Sequence, residues 1–155
     1  MVRTVSTLVN DVLTPAPGSA DVGAQTLRLL LVEDSPRLQQ RLKSLLEKGG
    51  AVRVESVVDS ATAARRAIDR QFFDVLIVDV ELAEGSGIDV VAYARQHFPT
   101  QKKPLIIVLT NYAIPAVEKR CRQAGADYFL DKMHQFSEVM TLILRWRNEL
   151  NGLNG

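Results

Sequence analysis

The sequence predicts an α/β fold in which a doubly wound parallel sheet of five strands is covered by five helices. Three observations carry that prediction. Apolar, strand-like runs alternate five times with amphipathic, helix-like runs between residues 27 and 150, the pattern of parallel strands joined by crossover helices. Two of those runs, residues 75–78 and 105–109, are continuously apolar, as strands buried on both faces must be. A third, residues 52–57, alternates Val52 and Val54 with Arg53 and Glu55, which suits an edge strand.

The elements follow in order. Residues 27–32 form the first strand; Ser35 can cap the next helix, with Pro36 at the first position, where its missing N–H costs nothing. Leu38, Leu42, Leu45 and Leu46 give that helix its apolar stripe, and Gly49 and Gly50 end it. After the edge strand, residues 60–70 make a helix with Ala61, Ala64 and Ile68 inward. The strand 75–78 leads to a helix over 87–98, with Ile88, Val91 and Phe98 on one side and Pro99 at its end. After the strand 105–109, Pro115 opens a helix carrying Val117, Cys121 and Ala124, and Gly125 closes it. Residues 128–130 are a short last strand. The final helix, 136–150, repeats Val139, Ile143, Trp146 and Leu150 at spacings of three and four. Two central strands, one edge strand and right-handed crossovers give the order 2-1-3-4-5 of the flavodoxin-like sheet. Residues 1–26, with Pro15, Pro17 and Gly18, read as a flexible arm in which residues 5–13 have weak helical spacing. The domain then covers 27–150, with a short tail at 151–155.

Composition narrows the function. The chain has 155 residues and a formal charge of +1, with no basic block, so neither nucleic acid nor an anionic membrane is an expected partner. Its one cysteine, Cys121, excludes an internal disulfide and fits a cytoplasmic setting. No apolar run is long enough to span a bilayer.

In sheets of this type ligands bind beyond the carboxyl ends of the strands. The residues there are Glu33 and Asp34 after strand one, Asp79 after strand three, Thr110 after strand four and Lys132 after strand five. Three carboxylates brought together repel one another unless a cation joins them. An oxygen-only donor set suits Mg²⁺, and the absence of a histidine or cysteine cluster argues against Zn²⁺. A carboxylate beside Mg²⁺, with an ammonium and a hydroxyl converging on it, is arranged to accept a phosphoryl group on its own oxygen, and Asp79 is the candidate nucleophile. Lys132 would offset phosphoryl charge and Thr110 would donate a hydrogen bond.

Four stretches, LLLVEDSP (29–36), DVLIVDVELAEGSGIDVV (74–91), PLIIVLTN (104–111) and AGADYFLDK (124–132), resemble in order and spacing the receiver domains of two-component response regulators. The resemblance covers residues 26–150. It implies that Asp34 binds Mg²⁺ directly and Glu33 through water, that Glu81 offers its backbone carbonyl, and that Asp79 takes phosphate from a histidine kinase or histidine phosphotransfer domain. It further implies a switch in which Thr110 moves toward the phosphate and Phe129, the aromatic residue of the last strand, turns inward. That change would alter the face of helix four, strand five and helix five toward a downstream protein target or a second copy of the chain. Gly87 matches the family's glycine near the phosphorylated loop. Four positions depart from the pattern. Met133 stands where proline commonly follows the lysine, Phe129 lacks the frequent tyrosine hydroxyl, and Asn111 and Tyr112 are larger than the small residues often found after the threonine. Tyr112 would then shield a phosphoaspartate from water.

Each acid alone would be an ordinary solvated loop residue; the set of five carries the reading. His97 and His134 lack metal-ligand spacing, and Cys121, Met140 and Trp146 read as packing residues. A haloacid-dehalogenase-type phosphatase would use Glu81 as a second acid two residues after Asp79, but wants a larger body. A nucleotide-binding domain would need a glycine-rich loop after the first strand. The stronger rival is a receiver-like docking module that takes no phosphate. With only residues 151–155 after the last helix, the expectation is a single-domain regulator that acts through protein contact.

Overall fold

The computed structural model describes residues 25–154, so the arm expected over 1–26, with its helical spacing at 5–13, falls almost wholly outside the described residues. Five strands and five helices alternate: β1 Leu27–Val32, α1 Pro36–Glu47, β2 Val52–Val58, α2 Ala61–Arg70, β3 Val75–Val78, α3 Gly87–His97, β4 Leu105–Thr110, α4 Pro115–Ala124, β5 Tyr128–Asp131 and α5 Glu138–Asn154. A short 3₁₀ turn, Thr100–Lys102, which the sequence reading lacked, precedes β4. The strands form one parallel sheet in the order β2-β1-β3-β4-β5, which is the predicted 2-1-3-4-5.

Alternation along the strands divides the core into two layers. Leu30, Val32, Leu76, Val78, Ile106 and Val108 face α2, α3 and α4, where Ala64, Ile68, Val91, Ala94 and Cys121 are buried. Their neighbours Leu29, Leu31, Ile77, Ile107 and Leu109 face α1 and α5, against Leu42, Leu46, Val139 and Ile143. Every residue of β3 and β4 is buried, so each fully covered leucine, isoleucine or valine contributes roughly 1.5–3 kcal/mol of transfer free energy.

Local signals set the helix ends. Ser35, Ser60 and Ser86 each accept a backbone N–H of the first turn, and Gly125 closes α4 with φ of +119°. The inward face of α3 is Gly87, Val90, Val91 and Ala94; of the predicted stripe, Val91 and Phe98, the latter just past the helix end, are buried and Ile88 is half-buried against the same core. The last helix starts two residues later than predicted and continues to Asn154. Leu150, assigned to the apolar stripe, is exposed.

Candidate functional site

The parallel ladder continues one residue beyond three strands. Backbone N–H groups of Glu33, Asp79 and Lys132 donate to the carbonyls of Val58, Val32 and Thr110, each at 2.9 Å. These bonds pin the first residue past β1, β3 and β5 at the sheet's carboxyl edge, which is why a positional reading of the sequence found them. They line a cleft of about 460 Å³ with Asp34, Glu81 and Tyr112.

Carboxylate oxygens of Glu33, Asp34 and Asp79 lie within 4.8 Å of one another. The Lys132 ammonium sits 2.8 Å from Glu33 Oε1 and 2.8 Å from Asp79 Oδ2, and all three side chains are almost fully buried. The second oxygens are also engaged: Asp79 Oδ1 accepts the Glu81 N–H at 3.2 Å, and Glu33 Oε2 accepts the Ser35 N–H at 3.0 Å. Burial raises the carboxyls of Glu33 and Asp79 above the usual carboxylate range, against the lowering effect of Lys132. Burial also opposes the charge on Lys132, but its hydrogen bonds to Asp79 and Glu33 outweigh that and raise the ammonium above its ordinary value. Three carboxylates against one ammonium leave two negative charges, the charge of one divalent cation. An all-oxygen donor set with that deficit fits Mg²⁺.

Thr110 is fully buried at the end of β4, but it does not line the cleft; its hydroxyl oxygen accepts the Tyr112 N–H at 3.1 Å. Phe129 lies buried in the layer beneath α4, among Cys121 and Ala126. Tyr112, at the cleft, is 52% exposed and Met133 is 78% exposed. His97 and His134 are on the surface, and Cys121 is in the core. The loop after Asp79 is placed by contacts the sequence reading did not find. Glu84 accepts the Thr62 N–H at 3.0 Å and its hydroxyl at 3.1 Å, and its carbonyl accepts the Ala61 N–H at 2.9 Å, so this loop caps α2. Gly87 is needed for close approach: a Cβ there would stand 2.0 Å from the Asp79 carbonyl oxygen. The residues flanking Lys132 are likewise held by Asp131 and Gln135, which were also missed. The only sequence signal for the last pair was an acid and an amide four residues apart.

The family model for the response regulator receiver domain matches residues 29–144. The chain belongs to that family. Among curated relatives, this receiver domain is 25% identical over 150 residues to the sensor protein GacS of Pseudomonas syringae pv. syringae, covering 93% of this chain and 16% of that one. It is 28% identical over 125 residues to the response regulator protein PilR of Pseudomonas aeruginosa, covering 78% and 27%. The chain thus spans less than a third of either relative. A solved receiver domain of a Pseudomonas aeruginosa sensor histidine kinase, with magnesium coordinated in its active-site cleft, superposes with a TM-score of 0.69 at 28% identity, covering 80% of this chain and 99% of that one. The fold is shared with a CheY-like receiver domain protein of Methanospirillum hungatei, at a TM-score of 0.73, 23% identity, and coverage of 83% and 98%. Among the described residues no helix is long and apolar enough to cross a membrane.

Proposed function

We propose that this receiver domain is a Mg²⁺-dependent phosphoacceptor in which Asp79 takes a phosphoryl group from a histidine kinase or a histidine phosphotransfer domain. The observation that carries the reading is the buried Asp79–Lys132 contact at 2.8 Å inside a cluster of three carboxylates. An Asp79 carboxylate oxygen forms the new P–O bond as the P–N bond of a phosphohistidine breaks, and the electron pair leaves with the imidazole nitrogen. Lys132, already beside Asp79, exchanges its carboxylate contact for a phosphoryl oxygen and keeps its charge beside the acidic cluster. Glu33, Asp34 and Asp79, with the Glu81 carbonyl, would hold Mg²⁺, which neutralises charge on the phosphoryl oxygens when bound.

Thr110 is the switch residue in this reading. Turning its hydroxyl from the Tyr112 N–H toward a phosphoryl oxygen would pull on the segment that leads into α4, and buried Phe129 lies under that helix. Phosphate contacts available in one arrangement only would shift the populations of the α4–β5–α5 face, where a downstream protein or a second copy would bind. Because Phe129 has no hydroxyl, the change acts through packing.

The test is intact-mass measurement after incubation with Mg²⁺ and acetyl phosphate, alongside Asp79→Asn. A phosphate-sized gain in the native chain alone is the expected result. No gain in the folded native chain, with phosphohistidine donors tried as well, would leave the phosphate-independent docking module as the better account.

A further inference from the structure

Lysine carries its charge on a flexible four-carbon stem, so it delivers an ammonium to a fixed point only if its backbone is held. The residue after Lys132 does not supply that constraint through packing, since Met133 is 78% exposed. A ring of hydrogen bonds closing on Asp131 supplies it instead. Asp131 Oδ1 accepts the Met133 N–H at 2.7 Å and the His134 N–H at 3.3 Å. The Asp131 N–H donates to Gln135 Oε1 at 2.9 Å, and the Asp131 carbonyl accepts the Gln135 N–H at 2.8 Å. The reciprocity is that of a helix capping box, with an acid taking the N–H groups ahead of it and an amide reaching back to the acid's own N–H. Here the ring encloses one turn of chain, and Lys132 lies inside it.

Neither Asp131 nor Gln135 lines the acidic cleft, so neither would touch a phosphoryl group. Their bonds fix the backbone on both sides of Lys132, while the Lys132 N–H is tied to the Thr110 carbonyl at 2.9 Å. From that anchored Cα the ammonium reaches Glu33 and Asp79 together. We propose that Asp131 and Gln135 are positioning residues for Lys132, forming a hydrogen-bonded turn that fixes the backbone on both sides of it. The inference rests on the reading of Lys132 as the residue that meets the phosphoryl group.

Two measurements on the full chain test it. With acetyl phosphate and Mg²⁺, Asp131→Ala and Gln135→Ala slow the gain of phosphate mass by about tenfold, the scale of one lost hydrogen bond. Asp131→Asn keeps an accepting oxygen for the Met133 and His134 N–H groups and stays within about twofold of native. Calorimetric titration with Mg²⁺ gives the second readout. The Lys132 ammonium competes with a cation for Glu33 and Asp79, so releasing it tightens Mg²⁺ binding by about threefold or more even as phosphorylation slows.

A loosened fold would weaken both properties together, and that outcome in both alanine variants overturns the proposal. Native phosphorylation rates in both variants overturn it as well. If the native chain gains no phosphate, the phosphoacceptor reading fails first. Tighter Mg²⁺ binding in the alanine variants would then still support the placement of Lys132, and unchanged binding would overturn it.

Discussion

Both ends of this parallel sheet carry aspartates, yet the two sets live under opposite electrostatics. At the amino edge, Asp74 Oδ2 accepts the Arg28 N–H and Asp127 Oδ2 accepts the Ile106 N–H, each at 2.8 Å, and Asp127 also pairs with Arg95 at 2.6 Å. At the carboxyl edge, Glu33, Asp34 and Asp79 crowd one another around a single ammonium. Parallel strands all start at one edge and end at the other, so one edge presents N–H donors and the other carbonyl oxygens. At the amino edge each of these aspartates accepts a strand N–H, and Asp127 adds an arginine. At the carboxyl edge the strand ends offer oxygen, so Asp79 and Glu33 each take an N–H from the loop that follows and share the Lys132 ammonium. The same side chain is therefore paired off by backbone and arginine at one end and gathered into an acidic cluster at the other.

The largest test of that contrast is Gly87→Ala. Its methyl group would meet the Asp79 carbonyl oxygen at 2.0 Å and Val78 Cγ1 at 2.9 Å, so the carboxyl-edge loop must shift. We expect a loss of about 3 kcal/mol, measured by urea unfolding, together with loss of phosphate uptake. Retained uptake at native stability would show that the edge is far more plastic than its packing implies.

Next is Asp127→Ala, which strands the Ile106 N–H and frees Arg95 from its ion pair. A destabilisation of about 1–2 kcal/mol is expected by the same measurement, with little change in Mg²⁺ affinity.

Asp79→Asn should act in the opposite direction, raising stability by roughly 1 kcal/mol at neutral pH. The sign follows from the raised carboxyl of Asp79, caused first by burial. A group whose folded-state pKa exceeds its unfolded value stabilises the fold fully below the unfolded value, and that contribution is lost as pH rises through the folded value. The advantage of the asparagine variant is therefore present at neutral pH and disappears below the ordinary carboxylate range of about 4. Melting curves across pH would show it, and Mg²⁺ should stabilise the native chain more than the variant.

The smallest effect is expected for Asp74→Asn, which keeps an accepting oxygen for the Arg28 N–H and should shift stability by less than about 0.5 kcal/mol. A larger loss would mean that charge, and not only the hydrogen bond, holds the amino edge.

Most of the fold was legible because periodicity reports burial. The unbroken apolar runs of β3 and β4 and the alternation in β2 follow directly from being covered on two faces or lying at an edge. Helix faces were read less well. The inward set of α3 also includes Gly87, Val90 and Ala94, and Leu150 is exposed, because a stripe shows which residues are apolar and not how far the neighbouring layer reaches. For the site, position after a strand was enough to bring Glu33, Asp34, Asp79 and Lys132 together, since the ladder pins the next residue. Thr110 was placed at the same edge, but it does not line the cleft and its hydroxyl oxygen accepts the Tyr112 N–H, a local contact that no spacing encodes.

By itself, then, the sequence determined the order of strands, the edge at which the acidic cluster sits and the identities of the charged groups there. Each of these depends on chain-local periodicity and on the shared direction of parallel strands. The tertiary structure alone decided that Lys132 bridges Glu33 and Asp79, that Glu84 ties the loop after Asp79 to α2, and that Gly87 must lack a side chain. Those depend on distances between segments far apart in the chain, which are set only when the two apolar layers close on the sheet.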